Sequence, residues 1–244
     1  MKTLVVILNY NVPALTDQLY RSLKPFESDV YDLMVLDNCS PVGGKSQYTT
    51  LETEENCYFG GALNLMLSFF KENKQYDSIM FLNNDVILHG YNYVKEMRDI
   101  MFSQNYAILS PSMLQPEENQ CFWRQMHNYN SKSVRDVKWV DFFAPMFNRS
   151  FLDYIDQFPN ELMFGWGQDV LSGIKCVENN LKIGVVDWCP VIHMSSMTFR
   201  DGKGGVSNSE YSMRAERDMW THFQSIGQVD KLREFRDWGR NYRQ

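Results

Sequence analysis

Three short apolar runs, each closing on a cluster of Asn and Asp, constrain this chain more than any other feature. Leu4 to Leu8, Leu33 to Leu36 and Ile79 to Leu82 are continuous and β-rich, the pattern of strands buried on both faces. They end at Asn9-Tyr10-Asn11, Asp37-Asn38 and Asn83-Asn84-Asp85. Between them the apolar spacing changes to three and four residues. Pro13 can open a helix, with Leu15, Leu19 and Leu23 on one face. Gly60-Gly61 leads into a helix carrying Leu63, Met66, Leu67 and Phe70, and Tyr93, Val94, Met97, Ile100 and Met101 mark a third. Ala107 to Leu109 reads as a short strand before Pro111. Strands alternating with helices imply an α/β fold, a mostly parallel central sheet flanked by helices. In such sheets ligands bind beyond the carboxyl ends of the strands. One Asn/Asp cluster there is ordinary turn chemistry; three at one sheet edge make a site.

The second half is less regular. Gln115 to Val134 is polar, with Trp123, His127 and Tyr129 embedded, and reads as a long loop. Val137 to Phe147 reads as extended. A helix is expected from about Gln168 to Asn179, burying Val170, Ile174 and Val177. Lys182 to Val186 reads as a strand leading through Asp187 and Pro190 to His193. Thr198 to Ser209 is rich in Gly and Ser and is expected to be mobile. A helix follows from about Glu210, and a basic, aromatic tail runs from Lys231. Coiled into a helix, that tail places Leu232, Phe235, Trp238 or Gly239, and Tyr242 on one stripe. Arg233, Arg236, Arg240 and Arg243 form a row beside it. Two readings stay open. The stripe packs on the core with the Arg stems lying along it, or the face meets an anionic partner: a membrane surface, a lipid diphosphate or nucleic acid.

At 244 residues the chain is long enough for one α/β domain with its own core. A net charge of −6 argues against general nucleic-acid binding, which needs a phosphate-neutralising surface. The five cysteines (Cys39, Cys57, Cys121, Cys176 and Cys189) are odd in number and show no C-x-x-C spacing. Neither a disulfide framework nor a zinc site is indicated. The apolar start is too short for a signal peptide, and no stretch reaches bilayer length. These readings point to a cytoplasmic chain without a transmembrane segment, with peripheral membrane contact through the tail as the one exception.

In order, VVILNYN, VLDNCS, NCYFGGALNLML, FLNNDV, FGWGQDVLSGIKCVENNLKIG and VIH span about residues 3 to 195. This ordered set resembles glycosyltransferase family 2, and in particular its rhamnosyltransferase-like branch. The resemblance implies a GT-A nucleotide-diphospho-sugar transferase fold. It divides the chain into a nucleotide-sugar-binding half (1–112), an acceptor-side half (113–209) and a C-terminal helical extension (210–244). FLNNDV is similar to the family's D-x-D motif, which makes Asp85 a ligand for Mn²⁺ or Mg²⁺, with Asn83 where Asp is usual. Hard oxygen ligands suit those metals, which neutralise a leaving diphosphate. By the same resemblance Asp37 contacts the nucleobase, Asn9 and Tyr10 line its pocket, and Asn56 and Asn64 lie near the donor beside Gly60-Gly61. Asn11, Asn38 and Asn84 belong to the same sheet-edge clusters. Asp169, in FGWGQD, is the implied catalytic base, with Gln168 where an acid is common and the helix dipole favouring its carboxylate form. Phe164, Trp166 and Gly167 fall on the acceptor side. His193 completes the metal or diphosphate site.

The expected activity is metal-dependent, inverting transfer of a hexosyl or deoxyhexosyl group from a UDP-, dTDP- or GDP-sugar. A glycan or lipid-linked hydroxyl is the expected acceptor, in polysaccharide biosynthesis. Alternatives are transfer to nucleic acid or protein, or a degenerate binder, which Asn83 and Gln168 keep open. A sugar nucleotidyltransferase would carry a Gly-rich loop with Arg and Lys after the first strand, and a Rossmann dehydrogenase would carry G-x-G-x-x-G there. Asn9-Tyr10-Asn11-Val12-Pro13 is neither.

Overall fold

In the computed structural model, residues 1–88, 90–114, 122–194 and 207–243 are described. Most of Thr198–Ser209, and residues 115–121 of the long loop, lie outside them. Among the described residues nine strands form one sheet: β1 Lys2–Asn9, β2 Tyr31–Asp37, β3 Leu51–Glu52, β4 Tyr76–Asn83, β5 Val86–Ile87, β6 Tyr106–Met113, β7 Arg135–Asp136, β8 Met146–Asn148 and β9 Lys182–His193. Their order is β3-β2-β1-β4-β8-β6-β9-β5, with β7 also on β9. Six helices among the described residues flank it: α1 Pro13–Leu23, α2 Tyr58–Glu72, α3 Tyr93–Ser103, α4 Gln168–Glu178, α5 Asn208–Ser225 and α6 Val229–Arg240. The architecture is the α/β sheet expected from the alternating pattern.

Register aligns the three polar clusters. β1 pairs in parallel with β2, Asn9 opposite Asp37, and with β4, Leu8 opposite Asn83. β4 is buried along nearly its whole length, as a central strand covered on both faces should be. Beyond it the sheet is mixed. The three-residue β8 runs antiparallel between β4 and β6. β9 pairs in parallel with β6 and antiparallel with β5 and β7.

The differences from the expected elements are local. β6 continues through Pro111, where the β9 register shifts; Pro lacks a ladder donor and sits where pairing is irregular. Val137 to Phe147 is extended only at its end, from Met146. Its apolar residues are buried as irregular chain, Trp139 and Phe143 among them. Val177 is exposed; the buried stripe of α4 is Val170, Leu171 and Ile174.

The tail is helical and packs inward. Leu232 and Phe235 are buried, and the Trp139 indole donates to the Phe235 carbonyl at 2.9 Å. Gly239 lets α6 approach closely: a Cβ there would meet Gln125 Oε1 at 2.8 Å and Trp139 Cζ2 at 2.9 Å. The arginine row is therefore not one outer surface. Arg233 and Arg243 are exposed, while Arg236 is buried and Arg240 half-buried. No described helix is long and apolar enough to cross a membrane.

Candidate active site

A cavity of about 700 Å³ opens at the carboxyl edge of β1, β2 and β4, a size suited to a small ligand. Ten of the residues singled out in sequence line it: Tyr10, Asn38, Asn83, Asn84, Asp85, Phe164, Trp166, Gly167, Asp169 and His193. Asn56 does too.

Asn9, Asn11, Asp37 and Asn64 are not among the residues that line the cavity. Asn9 and Asp37 are fully buried behind its wall and satisfy one another. The Asn9 amide donates to Asp37 Oδ2 at 2.6 Å and to the Gly44 carbonyl at 2.9 Å, and accepts from the Thr16 hydroxyl at 2.6 Å. The other oxygen of Asp37 accepts the Ser40 backbone N–H at 2.8 Å. With its oxygens engaged inside the fold, Asp37 shapes the β2 turn. The Asn11 backbone N–H donates to the Ser40 hydroxyl at 2.8 Å, so it belongs to the same cluster. Asn64 mimics a peptide group, donating to the Phe158 carbonyl and accepting the Phe158 N–H, both at 2.8 Å.

The wall facing the cavity is built from adjoining loops. The Asn38 amide donates to Asn56 Oδ1 at 3.0 Å and to the Tyr58 carbonyl at 3.1 Å, which fixes the entry into α2. Asn84 donates to the Thr16 hydroxyl at 3.1 Å, tying the end of β4 to α1.

Asp85 and His193 meet because of strand pairing. β5 follows Asp85 directly, and its Val86 sits opposite His193 at the end of β9. His193 Nε2 lies 3.1 Å from Asp85 Oδ1, and the ring stacks on Phe143 at 5.1 Å. Burial disfavours the charged imidazole, but the hydrogen bond to Asp85 and the charges of Asp85 and Asp141 outweigh it, raising its pKa.

Asp169 sits in the first turn of α4, as expected, behind a turn that needs both glycines. Gly165 and Gly167 have φ of 93° and 89°, a region that side chains avoid. A Cβ would meet Phe59 at 2.6 Å from the first and Met219 at 2.8 Å from the second. The helix start was expected to favour the carboxylate. Instead the Asp169 carboxyl is raised to about 7. Burial is the largest cause and Asp141 the next; the Val170 and Gly167 N–H groups and Arg236 oppose them. Gln168 turns away from the cavity, fully buried, its amide donating to the Leu162 carbonyl at 3.1 Å. An acid there would be a charge inside the core, so its absence takes nothing from the site.

Asp141 is the principal residue that sequence reasoning missed. It lines the cavity between buried Val140 and Phe142, and burial followed by the charge of Asp85 raises its pKa against the pull of His193. Asp85, Asp141 and Asp169 thus form an electrostatically connected row of carboxyls. Its signal was a lone acid inside an apolar run. Tyr58, Phe59, Trp123, Tyr211, Glu216, Arg236 and Arg240 also line it, from segments far apart in sequence. Phe164 is clamped between Tyr58 at 4.5 Å and Tyr211 at 5.3 Å. Trp166 stays partly exposed at the rim.

Among the described residues no group of three His, Cys, Asp or Glu side chains forms a metal cage. Asp85 and His193 offer one hard oxygen and one nitrogen on the cavity wall. Mg²⁺ and Mn²⁺ are commonly held by one or two protein ligands plus substrate phosphates and water, so the pair fits such an ion.

Among solved structures the chain is similar to S. aureus TarS residues 1–349 in complex with UDP. Identity is 16%, covering 92% of this chain and 72% of that one, with a TM-score of 0.60. It is similar to mannosyltransferase PcManGT from Pyrobaculum calidifontis in complex with GDP-Man and Mn²⁺, at 12% identity over 95% and 73% of the chains and a TM-score of 0.56. It is also similar to GalNAc-T7 with UDP, GalNAc and Mn²⁺, at 12% identity, covering 79% of this chain and 44% of that one, with a TM-score of 0.59. At these identities the likeness is one of fold, and the fold is that of GT-A glycosyltransferases. No curated protein matches the chain by sequence. A family model matches residues 113–237, just over half the chain, and the chain belongs to that family, described as Protein of unknown function (DUF707).

Proposed function

We propose that this protein is an inverting glycosyltransferase that moves a sugar from a nucleoside-diphosphate sugar to an acceptor hydroxyl. The observation that carries the reading is a single cavity lined by both the Asp85–His193 pair and a carboxyl, Asp169, poised near neutral pH. The ordered motifs support placing the chain with glycosyltransferase family 2, near its rhamnosyltransferase-like branch. Structures of similar fold in complex with UDP, UDP-GlcNAc and GDP-Man support a nucleotide-sugar donor.

In this reading Tyr10, Asn38 and Asn56 face the nucleoside, and residues 1–112 form the donor side. Asp85 and His193 would hold Mn²⁺ or Mg²⁺, which stabilises the departing diphosphate when bound. Asp169 takes the proton of the acceptor hydroxyl as that oxygen bonds to the anomeric carbon. The bond from that carbon to the diphosphate oxygen breaks, and the nucleoside diphosphate leaves. A base works best with a pKa near the operating pH, and burial with Asp141 supplies that tuning. Phe164 and Trp166 offer aromatic faces where the sugars would lie.

Calorimetry with UDP and GDP, with and without Mn²⁺, tests the proposal. One nucleotide should bind, and Asp85→Ala or EDTA should weaken it by roughly tenfold or more, about 1.4 kcal/mol or above. If neither nucleotide binds the wild type, the reading fails.

A further inference from the structure

We propose that Arg236 and Arg240 form a second anion site in the cavity, on the Asp169 side, which takes a phosphate group carried by the acceptor. The word acceptor rests on the glycosyl-transfer reading; the anion site rests on the arginines alone.

The two residues lie one turn apart on α6. The stripe beside them, Leu232, Phe235 and Gly239, is buried, and that anchoring turns Arg236 and Arg240 to the cavity. Arg236 is only 9% exposed. A buried guanidinium is costly unless its donors are used, and these are poorly used. Its nearest acid is the half-exposed Glu216, which also lines the cavity, with Nη2 at 3.8 Å, and Nη1 reaches Met219 Sδ at 3.5 Å. Arg240 Nη1 reaches Asp237 at 3.3 Å. The Nε atoms of both arginines are buried with no hydrogen-bond partner among the described residues.

Arg135 shows how this fold treats an arginine whose task is structural. Its Nε meets both oxygens of Asp187 at 3.0 Å, and its remaining nitrogens reach Asp187 and the Gln125 and His127 carbonyls at 2.8–2.9 Å. Nothing comparable holds Arg236.

Aromatic faces keep the two weakly paired guanidiniums in place. Arg240 lies 4.7 Å from the Phe122 ring, and Arg236 lies 5.6 Å from Trp123 and 5.7 Å from Trp220. The two charges also oppose one another: after burial, Arg240 is the next cause that lowers the pKa of Arg236. A bound anion relieves both costs. Phosphate suits the pair, because its tetrahedral oxygens can accept from two guanidiniums at once, whereas one Arg fork satisfies a carboxylate. The charge of Arg236 is felt at Asp169, so the bound phosphate would sit beside the acceptor hydroxyl.

The test titrates probes into protein saturated with UDP and Mn²⁺, so that the donor's diphosphate position is filled. The probes are glycerol 1-phosphate, dihexanoyl phosphatidate below its critical micelle concentration, and glucuronate. At least one phosphate probe should bind, and more tightly than glucuronate. Arg240→Gln and Arg236→Lys should each weaken it roughly tenfold or more, the scale of a charged hydrogen bond, with UDP affinity and melting temperature unchanged. A tighter phosphatidate arm assigns the phosphate to a lipid headgroup; a tighter glycerol phosphate arm assigns it to a soluble acceptor. No phosphate binding, equal binding of glucuronate, or loss of UDP affinity instead of phosphate affinity would each overturn the site. If neither UDP nor GDP binds the wild type, the transferase reading falls by itself. The same titration without nucleotide then still tests the arginines, and Arg240→Gln must still weaken phosphate.

Discussion

The two ends of the cavity treat the same side chain in opposite ways. At the β1–β2 edge, Asp37 is buried and fully engaged, accepting from the Asn9 amide and the Ser40 N–H. Across the cavity, Asp141 and Asp169 are raised by burial and by neighbouring carboxylate charge, with only backbone N–H groups and nearby cations in opposition. Engaged polar groups fix shape, because breaking them strands a buried donor. Asp169, raised to about 7, can exchange a proton near neutral pH, and groups with shifted pKa values gather where chemistry is done. The first half of the chain supplies most of the shape and the second most of the reactive charge.

The sharpest way to break that contrast is to delete residues 231–244. If the C-terminal segment served only a partner, the protein would stay folded without it. Leu232 and Phe235 are buried in the core and Gly239 packs on Trp139. Losing large buried side chains costs about 2–5 kcal/mol each, against a typical total stability of about 5–15 kcal/mol. The truncated chain should be insoluble or lack a cooperative melt by circular dichroism. A sharp melt near the wild-type temperature would overturn the packing role.

Next in size is Asp169→Asn. Loss of a general base costs about 10²–10⁴-fold in rate, and nucleotide binding should be unaffected. Stability should move the other way. The folded state holds the Asp169 proton up to about pH 7, while the unfolded chain releases it near 3.8. Stability from this group is therefore full below the unfolded value and is lost as pH rises to about 7. At pH 8 the Asn variant should melt no lower than wild type. Normal turnover in the variant would place the base elsewhere.

Asp37→Ala should behave as the mirror image. It leaves the Asn9 amide without a 2.6 Å acceptor and the Ser40 N–H unpaired, a cost of about 1–3 kcal/mol for each stranded group. Urea titration should show that loss, with whatever protein remains folded keeping its turnover. A variant with wild-type stability and lost nucleotide binding would restore Asp37 to the binding surface.

How much of this was legible in the sequence follows from the same physics. The sheet and helices were, because unbroken apolar runs and three- and four-residue apolar spacing leave a mark at many positions at once. The Asn/Asp edge was, because strand ends in a parallel sheet share a side. Which member of a cluster faces the ligand was not: Asn9 and Tyr10 are neighbours, and one turns inward while the other lines the cavity. Asp141 was hidden because one acid in V-D-F-F carries no period, and its chain is irregular. The tail's stripe was visible, but the turning of Arg236 inward and Arg233 outward depends on where α6 docks. His193 was readable as a strand-end residue; its pairing with Asp85 required the β5–β9 register.

The smallest expected effect is a shift in a pH profile, and it tests whether the carboxyl row acts as a unit. Asp169 must be ionised to accept a proton. With its carboxyl at about 7, turnover should plateau above neutrality and fall about tenfold per unit below it, as for any single ionisation. Burial is the larger cause of that high value and Asp141 the second. Asp141→Asn keeps the shape and removes the charge. The acid limb should then move to lower pH, because a like charge that opposed ionisation is gone. Its position should still lie above that of an ordinary carboxyl, because the burial remains. Arg240→Gln is the comparison: it removes a charge from the same cavity that is not one of the larger causes acting on Asp169, so its limb should move less than that of Asp141→Asn. Profiles are measured as kcat/KM, which reports the free enzyme's groups. An unmoved limb in Asp141→Asn, with Asp169→Asn inactive, would show that burial alone tunes the base and that the two carboxyls work separately.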